Sequence, residues 1–155
     1  DDLMTAAVAP PVTDAAFVPC EEVLLPLVAK TWKRLRRSIE ALELDGPSPT
    51  WHAARIKAKR ARYAADAVAP VFGRRMRQYA AVMADVTELL GDHQDAHVAQ
   101  TILRELSTHG DVDGRTGLAL GVLHEYEADE EILDRYRFTE LWPDAVRAAK
   151  RAGVG

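Results

Sequence analysis

A row of basic side chains in the segment 51–73 is the strongest chemical signal in this sequence. Its members recur at every third or fourth position: His52, Arg55, Lys59 and Arg62, with Tyr63 beside them. Because this spacing puts side chains on successive turns of one helix face, we expect the row to form a cationic ladder. Arginine can hold a phosphoryl group through two parallel hydrogen bonds, and lysine adds a compact positive charge. The row is therefore a candidate binding site for a polyanion.

Acidic side chains of the same protein are the alternative partners for this row. Like charges one turn apart repel each other, so a fold that keeps them aligned is expected to set opposite charges nearby. The candidates lie on the fourth predicted helix: Glu125, Glu127, Glu130 and Glu131. Runs of charge more often form solvated surface than ligand sites, and the charge pattern alone favours this alternative. A related alternative is an interaction bundle whose basic face docks the acidic surface of another protein.

Two histidines, His93 and His97, are separated by four residues, the spacing found in zinc-binding helices. In zinc hydrolases a glutamate follows the first histidine, but Gln94 stands there instead, so the general base is missing. Further ligands for a metal-binding bundle would have to come from His52, Glu88 or His124. Since the spacing alone is a weak signal, we predict no metal site. We expect Gln94 and Asp95 instead to support the basic row through hydrogen bonds, Asp95 by orienting an arginine or His52.

No constellation of catalytic residues is recognisable in the sequence. A glycine-rich phosphate loop is missing, Cys20 has no partner histidine near it, and Ser48 is explained as a helix cap before Pro49. We therefore predict a protein that is not an enzyme and needs no cofactor. The single cysteine and an acidic N-terminus unlike a signal peptide predict a reducing, cytoplasmic location. Since the chain begins with Asp1, we expect a fragment or a trimmed product.

The 155 residues carry a net charge of −4, which conceals a strong asymmetry. Thirteen Lys and Arg but only four Asp and Glu lie between Lys30 and Arg77, whereas the rest of the chain has seven basic and twenty acidic residues. Nucleic-acid-binding domains are usually basic overall, so a basic segment in an acidic protein favours a local anion site. The uncharged run near the N-terminus is too short to span a bilayer. We therefore expect neither nucleic acid nor a membrane as a partner.

The apolar periodicity predicts an all-α protein. Helices are expected from Glu21 or Leu25 to Leu44, from Ser48 to about Pro70, from after Gly73 to Leu106, from Gly114 to Tyr136, and over Thr139–Arg151. Residues 1–19, rich in Ala, Val and Pro, are expected to form a linker or arm before a helical domain over residues 20–152. Four main helices with short connections predict an antiparallel four-helix bundle, with the short last helix as a C-terminal cap.

Each predicted helix has an apolar side that we assign to the core. On the second helix it consists of Trp51, Ala54, Ala58, Ala61, Ala65 and Val68, and on the fourth of Ala119, Val122, Leu123, Tyr126 and Leu133. The run of alanines predicts the close approach of a neighbouring helix. On the first helix, Lys33 and Arg37 lie away from the apolar side, and we expect one of them to reach the groove that holds the basic row.

Two motifs, in this order and spacing, resemble the CHAD domain, a family named for its histidine-bearing α-helical architecture. The first is His52-x-x-Arg55-Ile56-x-x-Lys59-Arg60-x-Arg62-Tyr63, followed by Phe72-Gly73, and the second is Leu89-Leu90-Gly91-x-x-Gln94-Asp95-Ala96-x-Val98-Ala99. The resemblance covers roughly Glu21 to Arg151 and concerns the second, C-terminal of the family's two four-helix bundles. Ala61 departs from the family, which commonly has a larger aliphatic residue there.

The resemblance implies a function and a set of partners. The family is implicated in binding inorganic polyphosphate through its basic helices, which makes polyphosphate the expected polyanion. The implied binding residues are Lys33, Arg37, His52, Arg55, Lys59, Arg60, Arg62 and Tyr63, supported by Gln94 and Asp95. The resemblance also implies a missing N-terminal half or a CYTH-type domain as partner, and association with polyphosphate granules in the cytoplasm. We expect the isolated half to form a two-fold homodimer in place of the missing half.

Overall fold

Four α-helices make up most of the structure, a computed structural model that describes residues 4, 7, 8 and 12–155. They are α1 (Cys20–Ile39), α2 (Ser48–Phe72), α3 (Arg74–Ser107) and α4 (Gly114–Arg151), preceded by a short 3-10 helix at Asp14–Phe17. The described residues contain no strand, so the predicted all-α class is confirmed. Part of the arm that we expected over residues 1–19 lies outside the described residues. In the described part of the chain, no helix combines the length and the apolar character needed to span a lipid bilayer.

The local sequence explains where the helices begin and end. Gly73 separates α2 from α3 with a φ of 73°, a left-handed conformation that glycine adopts without strain. Asp113 caps α4, because its side chain accepts a hydrogen bond from the backbone N–H of Thr116 at 2.8 Å. The N-cap residue of α2 is Pro47. Ser48 is therefore the first helical residue and not the cap that we predicted.

The core is centred on the alanine-rich side of α2, which confirms the prediction for this helix. Its six residues are all buried: Trp51, Ala54, Ala58, Ala61, Ala65 and Val68. Because alanine adds little bulk, the large buried side chains besides Trp51 come mainly from the neighbouring helices, such as Trp32 from α1 and Tyr79 and Met83 from α3. Helices that follow one another in the chain pack together, as expected for an antiparallel bundle.

Aromatic stacking connects the first helix to the last. The rings of Trp32 on α1 and Trp142 on α4 are stacked with their centroids 5.2 Å apart. Trp142 lies in the segment that we predicted as a separate capping helix, and this prediction was wrong because 114–151 is one continuous helix that contains Pro143. A proline inside a helix removes one backbone hydrogen bond. The stacked Trp142 before it and the buried Ala145 after it hold α4 against the core across this position.

The helices α3 and α4 extend beyond α1 and α2 as a two-helix hairpin over residues 97–130, which we call the distal hairpin. α3 has 34 residues whereas α2 has 25. The start of α2 lies level with the middle of α3, because the ring of Trp51 stacks on that of His93 at 5.2 Å. No residue between Ala96 and Glu131 is buried in the structure, although all of them are described. The distal hairpin therefore adds no core of its own.

The apolar side predicted for the fourth helix faces solvent, so this part of the core prediction was wrong. Its large members are exposed: Val122 by 63%, Leu123 by 50%, Tyr126 by 59% and Leu133 by 45%. The inner positions of α4 are polar between Glu131 and Arg135, where Asp134 is buried as well, and they become apolar only from Phe138 onwards. The residues that continue the apolar pattern of α3 are exposed as well: Val98, Ile102 and Leu106. Periodicity identified the apolar sides but could not show whether another helix of this chain covers them.

Candidate functional site

The basic row lies along the line where α2 packs against α3, which we call the α2–α3 groove. Since the two helices are antiparallel, residues in order along α2 face residues in reverse order along α3. Nδ1 of His52 donates a hydrogen bond to Oε1 of Gln94 at 2.6 Å. Ten residues further along α2, Nη1 of Arg62 donates to Oγ1 of Thr87 at 3.0 Å. The row is therefore fastened to α3 at both ends.

Gly91 allows Arg55 to lie close to α3 in the middle of the row. A Cβ atom at this glycine would stand 3.9 Å from Nε and 4.0 Å from Nη2 of Arg55. A methyl group would therefore fit, whereas a longer side chain would displace the guanidinium. Nε of Arg55 is buried and has no hydrogen-bond partner among the described residues. Burial of this atom shows that the side chain packs against α3, so an anion would have to bind at the terminal nitrogens of the guanidinium.

Arg62 repeats this arrangement two turns further along α2. Its Nε is also buried without a hydrogen-bond partner in the described structure. The carboxylate of Asp66, whose Oδ2 is 3.6 Å away, forms an ion pair but is too distant for a hydrogen bond. Between the two arginines, Lys59 is half-buried, and Tyr63 is exposed at the edge of the groove. The groove thus presents three permanent cations within about 10 Å of helix.

The acidic side chains of α4 do not neutralise the basic row. Glu131 pairs with Arg135 at 2.7 Å and Glu130 pairs with Arg137 at 3.2 Å, so both acids are satisfied within α4 itself. The other two candidate acids, Glu125 and Glu127, form no ion pair with the row in the described structure. The interpretation in which α4 neutralises the row is therefore contradicted; the ion pair that the row forms in the described structure is the one between Arg62 and Asp66 within α2.

A second basic groove lies on the other side of α2, against α1. Four cations and two hydroxyl side chains line a volume of about 440 Å³: Thr31, Arg34, Arg37, Ser38, Lys57 and Arg60. Nζ of Lys57 donates to Oγ of Ser38 at 2.8 Å. Contrary to our expectation, Arg37 and Arg60 belong to this groove and not to that of the basic row, because α1 packs on the opposite side of α2. Lys33 is exposed on α1 and does not line this groove either.

A buried polar network around Arg135 holds the start of α2 in place. All five N–H groups of its guanidinium have acceptors, which are Nε2 of His93, the carbonyl oxygens of Leu44 and Gly46, Oγ of Ser48 and Oε1 of Glu131, at 2.7–3.1 Å. Ser48, which we interpreted as a cap, also donates to Glu131. The network joins the α1–α2 loop to α2, α3 and α4. It therefore fixes the position of the helix turn that carries His52.

The network gives its two titratable groups unusual pKa values. Burial lowers the pKa of His93 to about 4, although the negative charge of Glu131 opposes this shift. Burial alone would raise the pKa of Glu131, but hydrogen bonds from Ser48, Gln100 and the arginine outweigh burial and lower this pKa to about 2. At neutral pH the histidine is therefore uncharged, and the carboxylate balances the charge of the buried arginine.

The histidines of the distal hairpin contact other side chains and do not converge on a common point. Nδ1 of His97 is 3.3 Å from Oε2 of Glu131, and Nη2 of Arg104 donates to Nε2 of His124 at 2.9 Å. Among the described residues, no group of three or more His, Cys, Asp or Glu could hold a metal ion. Asp95, which we expected to orient a basic side chain, is exposed and lacks a side-chain hydrogen bond within the described structure.

Three residues that shape the site were not singled out as site residues in the sequence: Thr87, Gly91 and Arg135. The first two face the row from α3. The residue type of Thr87 gives no signal, whereas Gly91 belongs to the second motif and is unusual inside a helix. Arg135 was missed because arginine is rarely buried without a partner. One signal was present, since Arg135 follows Glu131 by four residues, the spacing of an ion pair within a helix.

Comparison with known proteins assigns the chain to a family. No curated protein and no solved structure matches it. The sequence model of the CHAD domain matches residues 1–104, about two thirds of the chain. The matched region begins and ends earlier in the chain than the region from Glu21 to Arg151, over which we noted the resemblance. It therefore does not include α4. Both motifs and every residue of the basic row lie within it, and the chain belongs to the CHAD domain family.

Proposed function

We propose that this domain binds inorganic polyphosphate in the groove between α2 and α3 and does not catalyse a reaction. The observation that carries the proposal is the environment of two arginines. Arg55 and Arg62 each have a buried Nε that lacks a hydrogen-bond partner among the described residues. Since a buried Nε is closed to a ligand, a phosphoryl oxygen would contact the terminal nitrogens of each guanidinium and compensate its charge. Membership of the CHAD family, which is associated with polyphosphate, supports this anion over others.

The arrangement of the groove suits an anion with a repeating charge. Arg55, Lys59 and Arg62 follow one another at about one turn, or about 5 Å, along α2. A chain of phosphoryl groups can contact all three cations at once, whereas a single phosphate reaches one or two. His52 donates to Gln94 through Nδ1, which leaves Nε2 to donate to a phosphate when the ring is protonated. Tyr63 offers an exposed hydroxyl donor at the edge.

The proposal that the domain does not catalyse a reaction rests on its two candidate nucleophiles, Ser48 and Cys20. Ser48 is engaged with Glu131 and Arg135, so its hydroxyl has a structural role. Cys20 is exposed at the start of α1, away from the grooves. From the family resemblance we further propose a cytoplasmic protein that associates with polyphosphate granules, with an N-terminal CHAD half or a CYTH-type domain as partner.

The test compares three triple-alanine variants that remove equal charge from different surfaces. The first variant changes Arg55, Lys59 and Arg62 in the α2–α3 groove. The second changes Arg34, Arg37 and Lys57 in the α1–α2 groove, and the third changes Lys30, Arg36 and Arg147, which are exposed outside both grooves. Affinity for long-chain polyphosphate is measured by calorimetry at several salt concentrations. We expect the first variant to lose the most affinity and its log–log salt slope to flatten by about three, about one for each lost contact.

The other two variants decide between a groove and diffuse attraction. Equal losses of affinity in all three variants would mean that binding depends only on net charge, and the proposed groove would be rejected. A larger loss in the second variant would place the site between α1 and α2 instead. Circular dichroism and the melting temperature of each variant show whether the bundle is intact.

A further inference from the structure

The outer side of α4 carries an apolar stripe that has no partner in the described structure. Seven positions three or four residues apart form it: Arg115, Leu118, Val122, Tyr126, Asp129, Leu133 and Tyr136. All seven are exposed, and 71% of Leu118 and 59% of Tyr126 are accessible. At 100° per residue the seven positions lie within about 40° of one line along the helix. We call them the outer stripe.

The outer stripe has the spacing by which one helix packs along another. Steps of three and four residues keep side chains on one side of a helix, as along the seam between two packed helices. The opposite, inner side of α4 carries His124, Glu127 and Glu131 in the same region, so the helix presents its more apolar side to solvent. Two helices without a core of their own are marginally stable in water. A contiguous exposed apolar surface of this kind marks an interaction site.

Two charged positions within the outer stripe specify its partner. Arg115 and Asp129 each stand seven residues from Val122, on opposite sides of it. Neither side chain forms an ion pair within the described residues. If two copies of α4 pack antiparallel about a two-fold axis at Val122, Arg115 of each copy faces Asp129 of the other. The same register sets Leu118 against Tyr126, whereas a parallel arrangement would set each charge against itself.

We propose that this chain forms a two-fold homodimer through the outer stripe, with the two α4 helices antiparallel and Val122 at the axis. The contact runs from Arg115 to Asp129, about 21 Å of helix. It contains two opposite-charge pairs at its ends and three apolar layers between them. Since this contact is short compared with those of obligate dimers, we expect reversible association with a dissociation constant on the order of micromolar. The basic grooves are not part of this interface.

Cysteine crosslinking tests the position of the axis. All variants carry Cys20→Ser, because Cys20 is exposed. Val122→Cys then places two sulfur atoms side by side across the axis, whereas Glu140→Cys, exposed on the same side of α4, places them about 54 Å apart. Under mild oxidation we expect Val122→Cys to form a disulfide-linked dimer much faster than Glu140→Cys. Equal rates would overturn the proposal.

Exchange of the two charges tests the register without a covalent bond. Asp129→Arg sets two arginines against each other at each end of the contact, and Arg115→Asp does the same with two aspartates. Each single variant is expected to raise the dimer dissociation constant, measured by sedimentation equilibrium, by about tenfold or more. The double variant should return it towards the wild-type value. A wild-type protein that stays monomeric at millimolar concentration, or a double variant as weak as the single ones, would refute the dimer.

Discussion

Arg55 and Arg62 differ from the other cations of α2 because their side chains lie against α3 before they reach solvent. Arg62 is held there by its hydrogen bond to Thr87 and Arg55 lies over Gly91, whereas Lys57 on the other side of α2 donates to Ser38. An arginine stays charged when it is buried, since its pKa is far above neutrality. These two residues therefore combine permanent charge with fixed geometry, which is what recognition of successive phosphoryl groups requires.

Replacing Arg62 with lysine tests whether polyphosphate binding depends on the positive charge alone or also on the geometry of the guanidinium. Arg62→Lys keeps the positive charge but loses the forked donor and the hydrogen bond to Thr87. We expect polyphosphate affinity to fall by about tenfold while the salt slope stays unchanged, because the same number of counterions is released. Arg62→Ala should lower both the affinity and the slope, the latter by about one. The matched control is Arg36→Lys on α1, and an Arg62→Lys protein that binds like the wild type would mean that point charges suffice.

The buried histidine of the network makes stability depend on pH. The pKa of His93 is lowered by burial from 6.5 to about 4, so the folded protein binds fewer protons than the unfolded chain between these values. The free energy of unfolding should therefore decrease as the pH falls from 6.5 towards 4, by at most about 1.4 kcal/mol per pH unit. Loss of the contribution from Glu131 follows as the pH falls from 4.5 towards 2.

Urea unfolding at a series of pH values measures this slope. His93→Gln keeps an acceptor for Arg135 but cannot titrate, so its unfolding free energy should be nearly independent of pH between 6.5 and 4.5. The variant is expected to be less stable than the wild type at neutral pH, because the stacking on Trp51 is lost. If its slope equals that of the wild type, the pH dependence has another origin.

At the scale of the helix, α2 shows how far periodicity can predict this structure. The spacing of residues within one helix fixes the relative directions of their side chains. The buried side that includes Ala58 and the basic row that includes Lys59 could therefore both be predicted from the sequence. The neighbour on each side of α2 does not follow from spacing, and Arg37 was therefore expected in the wrong groove. For α4 the same lack of information about neighbouring helices caused a larger error, because its whole predicted core side faces solvent. Its inner side can be polar at Glu131 and Arg135 because these two residues satisfy each other, and no pattern of single residues reveals such a pair as buried.

We expect larger side chains on the alanine-rich side of α2 to destabilise the fold. Ala61 is completely buried, so Ala61→Leu should overpack the core and lower the free energy of unfolding by about 1–3 kcal/mol. Ala67, exposed on the same helix, provides the matched control, and Ala67→Leu should change stability by less than about 0.5 kcal/mol. Urea denaturation of both variants measures the difference. Equal stabilities for the two would show that α2 is not oriented as described here.

Substitutions of Gly91 on α3 test whether polyphosphate binding depends on the short distance between α2 and α3. Gly91→Ala should raise the free energy of unfolding by up to about 1 kcal/mol, since alanine is the better helix former and its Cβ only touches Arg55. Gly91→Leu should displace that guanidinium and weaken polyphosphate binding, measured by calorimetry, while the helical content stays unchanged. A leucine variant with wild-type affinity would mean that the position of Arg55 over α3 is irrelevant to binding.

For the whole molecule, the distribution of charge limits which polyanions fit. The cations of α2 line two grooves. The opposite rim of the α2–α3 groove is acidic, because Glu88 and Asp95 are exposed on α3 next to Thr87 and Gln94, which contact the basic row. The rest of the chain outside the segment 30–77 is acidic as well. A thin chain can lie along the groove close to α2. A wide duplex would meet the acidic rim, where like charges repel.

Duplex DNA is therefore expected to compete poorly with polyphosphate. At equal total phosphate and moderate salt, a labelled long-chain polyphosphate should be displaced by unlabelled polyphosphate at a concentration about tenfold or more below that needed with DNA. Orthophosphate should be weaker still, because it cannot contact three cations at once. The double variant Glu88→Gln, Asp95→Asn removes two charges from the rim and leaves the basic row intact. It should improve competition by DNA more than it improves binding of polyphosphate, whereas equal gains for both anions would mean that the rim does not select and that the charge of α2 alone attracts any polyanion.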